Sequence, residues 1–168
     1  TPTQVAGLLQ ATAAALRAEL AALPEDVARW HPAPGEWCVN EALGHLVEAE
    51  RRGFAGRIRR ILEADWPTLE AWDQAEVAHQ RGDCQRAPSD LLAEWLELRE
   101  ASVALVRGLR DEDLPRRGRH TIVGDVTVGE LLQEWVYHDR DHLRQILANV
   151  QAAVWPRMGA TRRFYQPS

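Results

Sequence analysis

Residues Glu130 to Leu147, ELLQEWVYHDRDHLRQIL, constrain this chain more than any other stretch. Leu131, Trp135 and Ile146 recur on one face of a helix, and His138 and His142, four residues apart, fall on that same face. At about 100° per residue, positions i and i+4 lie one above the other. Such a helix packs its stripe into a bundle interior and carries both imidazoles inward with it. Burying two histidines on an apolar stripe is costly unless something accepts their nitrogens. A divalent metal is one such acceptor, since neutral imidazole is a preferred ligand of zinc, nickel, copper and iron. Hydrogen bonds to neighbouring groups are the alternative. A third ligand elsewhere in the chain would separate the two.

The periodicity predicts three further helices. The first covers Thr3 to Leu23, with Val5, Leu8, Leu9, Leu16 and Leu20 at helical spacing, and stops at Pro24. Proline-rich Glu25 to Trp37 reads as an irregular connector. The second helix runs from Val39 to about Ala64, with Cys38 at the cap position and Glu41 as its capping-box partner. His45 falls inside this helix beside the apolar stripe, directly after Gly44, which permits close approach of another element. Asp65 to Ala87 reads as a long connection with a short helix around Leu69 to His79. The third helix follows Pro88, capped by Ser89 or Asp90, and ends near Leu109. Ile122, Val123, Val126 and Val128 around Gly124 and Asp125 suggest a tight turn or short hairpin. Thr127 and Glu130 form a capping box that launches the fourth helix, which continues to about Val150. The tail from Val154 reads as irregular, with aromatics that pack back on the bundle.

Four helices without convincing strands make an all-α four-helix bundle, a single domain over residues 1–168. A second helix of this length spans roughly 39 Å, and the connection after it is long enough to return along it. The second and third helices are therefore expected to run parallel.

Composition removes several function classes. The 20 basic residues are all arginine, so Schiff-base, P-loop and general-base lysines are excluded. A net charge of −5 gives no basic footprint for nucleic acid. Two cysteines are too few for a disulfide framework, which points to a reducing, cytoplasmic setting, and no apolar run is long enough for a transmembrane helix. Neither does the start carry the charged and apolar regions of a signal peptide.

The residues around the histidines resemble a known family. EWCVNEALGHLVEAE on the second helix and VGDVTVGELLQEWVYHDRDHLRQI on the fourth are similar to the signature regions of the DinB/YfiT-like superfamily, which is distinct from the DNA polymerase sharing the first name. That resemblance implies a four-helix bundle with parallel second and third helices, as the connection length also suggests. It further implies a metal held by His45, His138 and His142, with zinc or nickel the expected ions. Three protein ligands leave coordination positions open, the arrangement of a catalytic site. The zincin motif shares the histidine spacing, but Asp139 stands where that motif needs a longer Glu, which argues against such a metalloprotease.

Nearby acids complete the expectation. Glu48, Glu134 and Asp141 are candidates to accept a ligand's far N–H or to move protons, with Glu48 the preferred catalytic acid–base group; ion pairing with Arg51, Arg52, Arg140 or Arg144 is the ordinary alternative. His120 is placed where a loop overhangs the metal, whereas His31 and His79 read as surface or loop-packing residues. Trp37, Trp95 and Trp135 fit core positions, Cys38 is explained by its cap position, and Cys84 reads as a loop thiol. The resemblance implies a metal-dependent thiol S-transferase acting on small electrophiles with a low-molecular-weight thiol such as bacillithiol or mycothiol. Two alternatives remain: a metal-dependent hydrolase using a metal-activated water, and a non-catalytic metal-binding stress-response module, a homodimer through its bundle faces.

Overall fold

The computed structural model describes residues 1–165. The first helix, α1 (Pro2–Ala22), buries Val5, Leu9, Leu16 and Leu20 and is followed by a single turn, α2 (Glu25–Ala28). The expected second helix is not continuous. It comprises α3 (Val39–Glu48), a π-helical turn over Ala49–Gly53, and α4 (Phe54–Glu63). The extra residue in a π turn rotates everything after it by about 100°. Both stripes thereby reach the core: Leu43, Leu46 and Val47 before the turn, and Phe54, Ile58 and Ile61 after it. Sequence periodicity gives no warning of the turn, because both halves remain amphipathic.

The long connection departs furthest from expectation. Leu69 belongs to a strand, β1 (Thr68–Leu69), and the connecting helix α5 spans Gln74–Arg81. Asp73 caps α5 by accepting the Glu76 N–H at 3.0 Å, and left-handed Gly82 (φ 59°) ends it. The third bundle helix, α6 (Pro88–Arg107), has Pro88 as its first residue and Ala87 at the cap, in place of the expected Ser89 or Asp90. The hairpin forms with β2 (Arg117–His120) antiparallel to β3 (Gly124–Thr127), and β1 adds parallel to β2 to make a three-stranded sheet. Beyond the suggested hairpin nothing in the sequence signals a sheet, because RGRH has neither apolar alternation nor β-branched residues and β1 is only two residues long. Its pairing depends on Leu69, fully buried over Gly118.

The last bundle helix, α7 (Val128–Val154), starts at the expected capping box: the Thr127 hydroxyl accepts from Glu130 N, and the Glu130 carboxylate accepts from Thr127 N at 2.7 Å. Beyond it, 3₁₀ turns over Trp155–Tyr165 replace the expected irregular tail. Phe164 and Tyr165 are 85% and 71% exposed, so these aromatics do not return to the bundle. Residues 166–168 of that tail lie outside the described residues.

Contacts between helices fix the topology. Asn40 bonds the Arg86 carbonyl, Glu50 meets Arg99, and numbering rises together along the two helices, so α3–α4 and α6 run parallel. In contrast, Gln10 of α1 bonds Arg107 at the end of α6, while Leu20 and Leu23 at the far end of α1 lie beside Pro88 and Leu92 at its start, an antiparallel pair. At the centre Arg99 is 2% exposed and binds Asp139 in bidentate fashion at 2.5 and 2.9 Å and Glu50 at 2.6 Å. Burial alone would lower the Arg99 pKa, but the two carboxylates outweigh it and raise it. The guanidinium therefore stays charged and ties all four bundle helices together. Among the described residues no helix is long and apolar enough to cross a membrane.

Candidate metal centre

α3 supplies His45, one turn before the π segment, and α7 supplies His138 and His142 from successive turns of the face that also buries Trp135 and Ile146. The three rings converge. Centroids lie 5.1 Å apart for His45 and His138, 4.6 Å for His45 and His142, and 4.4 Å for the α7 pair. One ligand atom from each lies within 4.8 Å of the other two. The Nε2 atoms of His45 and His138 are 2.9 Å apart, within hydrogen-bond distance of each other.

Electrostatics hold His45 and His138 neutral. Burial, then the neighbouring His142 and His138, brings His45 from the usual 6.5 down to about 3. Burial and then His142 do the same to His138, again to about 3. Neutral imidazole is the form that binds a metal. The far nitrogen of His142, Nδ1, meets Gln145 Oε1 at 2.8 Å. An amide oxygen can only accept, so Nδ1 carries the proton and Nε2 keeps a free lone pair. His138 Nδ1 is buried and has no partner among the described residues. Three converging imidazoles, two of them held neutral, form a nitrogen donor set that suits a divalent ion of intermediate softness.

Trp37 packs beside the cluster, 5.2 Å from the His45 ring and 6.5 Å from that of His142, and Phe54 meets His138 edge-on at 5.1 Å. Beside the cluster a cavity of about 200 Å³ is lined by His45, His138, Arg57, Trp72, His120 and Glu134, among others. The sheet brings His120 to this cavity, as the overhanging-loop reading expected. Its Nδ1 accepts from the N–H groups of Ile122 and Val123 at 3.2 and 3.4 Å. The proton of neutral His120 therefore sits on Nε2, and burial followed by Arg57 lowers its pKa. Arg57 lies over Trp72, 5.1 Å from the ring, and donates to the Glu70 carbonyl at 3.3 Å.

The candidate acids part company. Glu48 is 3% exposed and sits in an arginine cluster, with Arg81 Nη1 2.7 Å from Oε1 and Arg52 Nε 2.6 Å from Oε2. These ion pairs fasten α5 to α3 and engage both carboxylate oxygens. Asp141 pairs with Arg144 at 2.6 Å. Asp139 is committed to Arg99. Only Glu134 of these acids lines the cavity beside His138. Sequence reasoning did not single out Arg57, Trp72 or Gln145. Gln145 alone had a local signal, an amide three residues after a histidine on one helix.

Known proteins agree with this architecture. A family model described as the DinB superfamily matches residues 8–146. YuaE of Bacillus subtilis is 26% identical over 140 residues, covering 76% of this chain and 86% of YuaE. A protein of Oceanobacillus iheyensis named "putative metal-dependent hydrolase" is 21% identical over 122 residues, 72% of this chain and 69% of its own. Among solved structures, YfiT from Bacillus subtilis, described as a probable metal-dependent hydrolase with an unusual four-helix bundle topology, superposes with a TM-score of 0.81 at 20% identity, covering 89% of this chain and 86% of YfiT. With the four-helix fold in place and most of its length matched, the chain belongs to the DinB superfamily.

Proposed function

We propose that this protein is a metal-dependent hydrolase of a small substrate, with a divalent ion held by His45, His138 and His142. The carrying observation is that three imidazoles from two helices converge at one wall of a cavity of about 200 Å³. The names of similar proteins support the same reaction class. When bound, the ion supplies Lewis acidity and acidifies water. The chain's own residues do the rest. The exposed Glu134 carboxylate accepts the water's proton, in place of arginine-bound Glu48. The His120 Nε2–H donates to an oxygen that gains negative charge. Arg57 holds an anionic group of the substrate against the Trp72 face.

The cavity favours hydrolysis over thiol transfer. Pockets for drug-sized ligands run from about 300 Å³ upward, so this one suits a small acyl or phosphoryl group and water better than an electrophile beside a bulky thiol. It also supports turnover over a non-catalytic module, which predicts a blocked site.

Metal-loaded protein should hydrolyse small activated esters or amides without added thiol. Turnover that requires a low-molecular-weight thiol would replace this reading with the S-transferase. No turnover above background of either kind, with metal fully loaded, would favour the binding module.

A further inference from the structure

At the opposite end of α3 from the π turn, a second group of ligating side chains comes together from three separate segments. His31 comes from the proline-rich connector, Cys38 and Glu41 from the start of α3, and Cys84 from the 3₁₀ turn after α5. Each offers one ligand atom, and all four atoms lie within 4.8 Å of one another. We propose that His31, Cys38, Glu41 and Cys84 form a separate zinc site of two thiolates, one imidazole and one carboxylate.

The donor set is the argument. Cysteine, histidine and carboxylate are the ligands zinc takes, and four protein ligands make a closed, structural site. Zinc–ligand bonds of roughly 2.0 to 2.3 Å at tetrahedral angles put ligand atoms roughly 3.3 to 3.8 Å apart. Side-chain adjustments well below the reach of a rotamer change therefore close the site. His31 Nε2 and Glu41 Oε2 already stand 2.9 Å apart. Both cysteines are free thiols.

A simpler account of these residues leaves too much over. Cys38 and Glu41 do form the expected capping box, with the Glu41 carboxylate accepting the Cys38 N–H at 2.8 Å and the sulfur accepting from the Glu41 N–H, but cysteine is a weak acceptor and a poor cap. Cys84 donates to the Arg29 carbonyl at 3.4 Å and stands within hydrogen-bond reach of Cys38. A Cys38–Cys84 disulfide would use the sulfurs but give no reason for an imidazole and a carboxylate beside them. Burial pushes the Cys38 thiol up, away from the thiolate, and a bound cation reverses that balance.

On binding, two S–zinc bonds form as two thiol protons leave to solvent, and the His31 lone pair and Glu41 carboxylate complete the shell. His31 and Glu41 are 44% and 23% exposed at their side chains, which gives the ion a way in, while Cys38 is fully buried. Bound zinc would join the connector, α3 and the turn before α6. Cys38 also follows Trp37, the ring that packs on His45 and His142. Clamping Cys38 therefore steadies one wall of the three-histidine cluster, although the two sites are independent, with Cys38 roughly 10 Å along the helix from His45.

Cobalt distinguishes the sites, because only thiolate ligands give a sulfur-to-cobalt charge-transfer band. The full chain, kept reduced with a phosphine, is titrated with Co²⁺ and then with Zn²⁺. The proposal expects a charge-transfer band that zinc abolishes, that is lost in Cys84→Ser, and that survives in His142→Ala. No band in the unmutated chain, or an undiminished band in Cys84→Ser, overturns it. If Cys84→Ser does not fold, alkylation of the unmutated chain by iodoacetamide decides. Marked slowing at both cysteines by zinc supports the site, whereas equal rates with and without zinc, or a disulfide that persists under reductant, refute it. Failure of the three-histidine reading would show separately, as equal metal content in the unmutated chain and His142→Ala with the band intact.

Discussion

His45, Glu134 and Gly44 make different demands on their positions, and single substitutions separate them. Removing one of three ligands from a metal site abolishes tight binding. His142→Ala and His45→Ala should each lose one metal equivalent per chain by elemental analysis, with far-ultraviolet dichroism unchanged. Glu134→Gln keeps the volume and removes the proton acceptor, so kcat for ester hydrolysis should fall by about a hundredfold or more while metal content stays constant. Glu48→Gln should lower stability with a smaller effect on kcat, because Glu48 is bound to Arg52 and Arg81. An effect on kcat larger than that of Glu134→Gln would return the role of base to Glu48. Gly44 accommodates Asp83: a Cβ there would stand 1.8 Å from an Asp83 carboxylate oxygen. Gly44→Ala should therefore cost about 1 to 3 kcal/mol in urea unfolding, as overpacked core positions do.

The buried ion network joins the helices as elements. Arg99 on α6 meets Glu50 in the π turn, Asp139 on α7 and the Leu9 carbonyl on α1, and it lies 4.6 Å from the Trp95 ring. Arg99→Leu leaves two buried carboxylates without a cation, and breaking such a network costs about 3 to 5 kcal/mol. Chemical denaturation should show that loss; an unchanged midpoint would mean the carboxylates take up protons at little cost. Helical elements were legible in the sequence because their apolar stripes repeat over several turns, and the capping box at Thr127 and Glu130 marked the start of α7. The π turn was not legible, since inserting one residue leaves both flanking stripes intact. Of the sheet, the hairpin was legible in the valines around Gly124 and Asp125, but β1 was not, since this two-residue strand joins β2 where Leu69 is buried against Gly118. Among the site residues, His45, His138 and His142 stood out through spacing and family resemblance. Arg57 and Trp72 reach the cavity through tertiary placement, for which no local pattern exists.

For the molecule as a whole, the long connection is what allows α3–α4 and α6 to run parallel, and it carries α5, Trp72 and Cys84 to the two candidate sites. Neutral buried histidines also make stability depend on acidity. His45 and His138 have folded pKa values near 3 against 6.5 when unconstrained, so the unfolded chain binds protons that the folded chain refuses between those values. The stability that the metal-free protein owes to these two neutral rings is therefore fully present above about pH 6.5 and is lost as pH falls toward 3. Urea midpoints measured across that window should fall with pH, and replacing His45 and His138 together by Gln should flatten the dependence. The account rests above all on a metal at the three histidines. Anomalous diffraction at the zinc absorption edge, from crystals grown with zinc, locates the ion. A peak about 2.0 to 2.1 Å from Nε2 of His45, His138 and His142 is the predicted result. A map with no peak among those rings, and His45 still hydrogen-bonded to His138, would refute it.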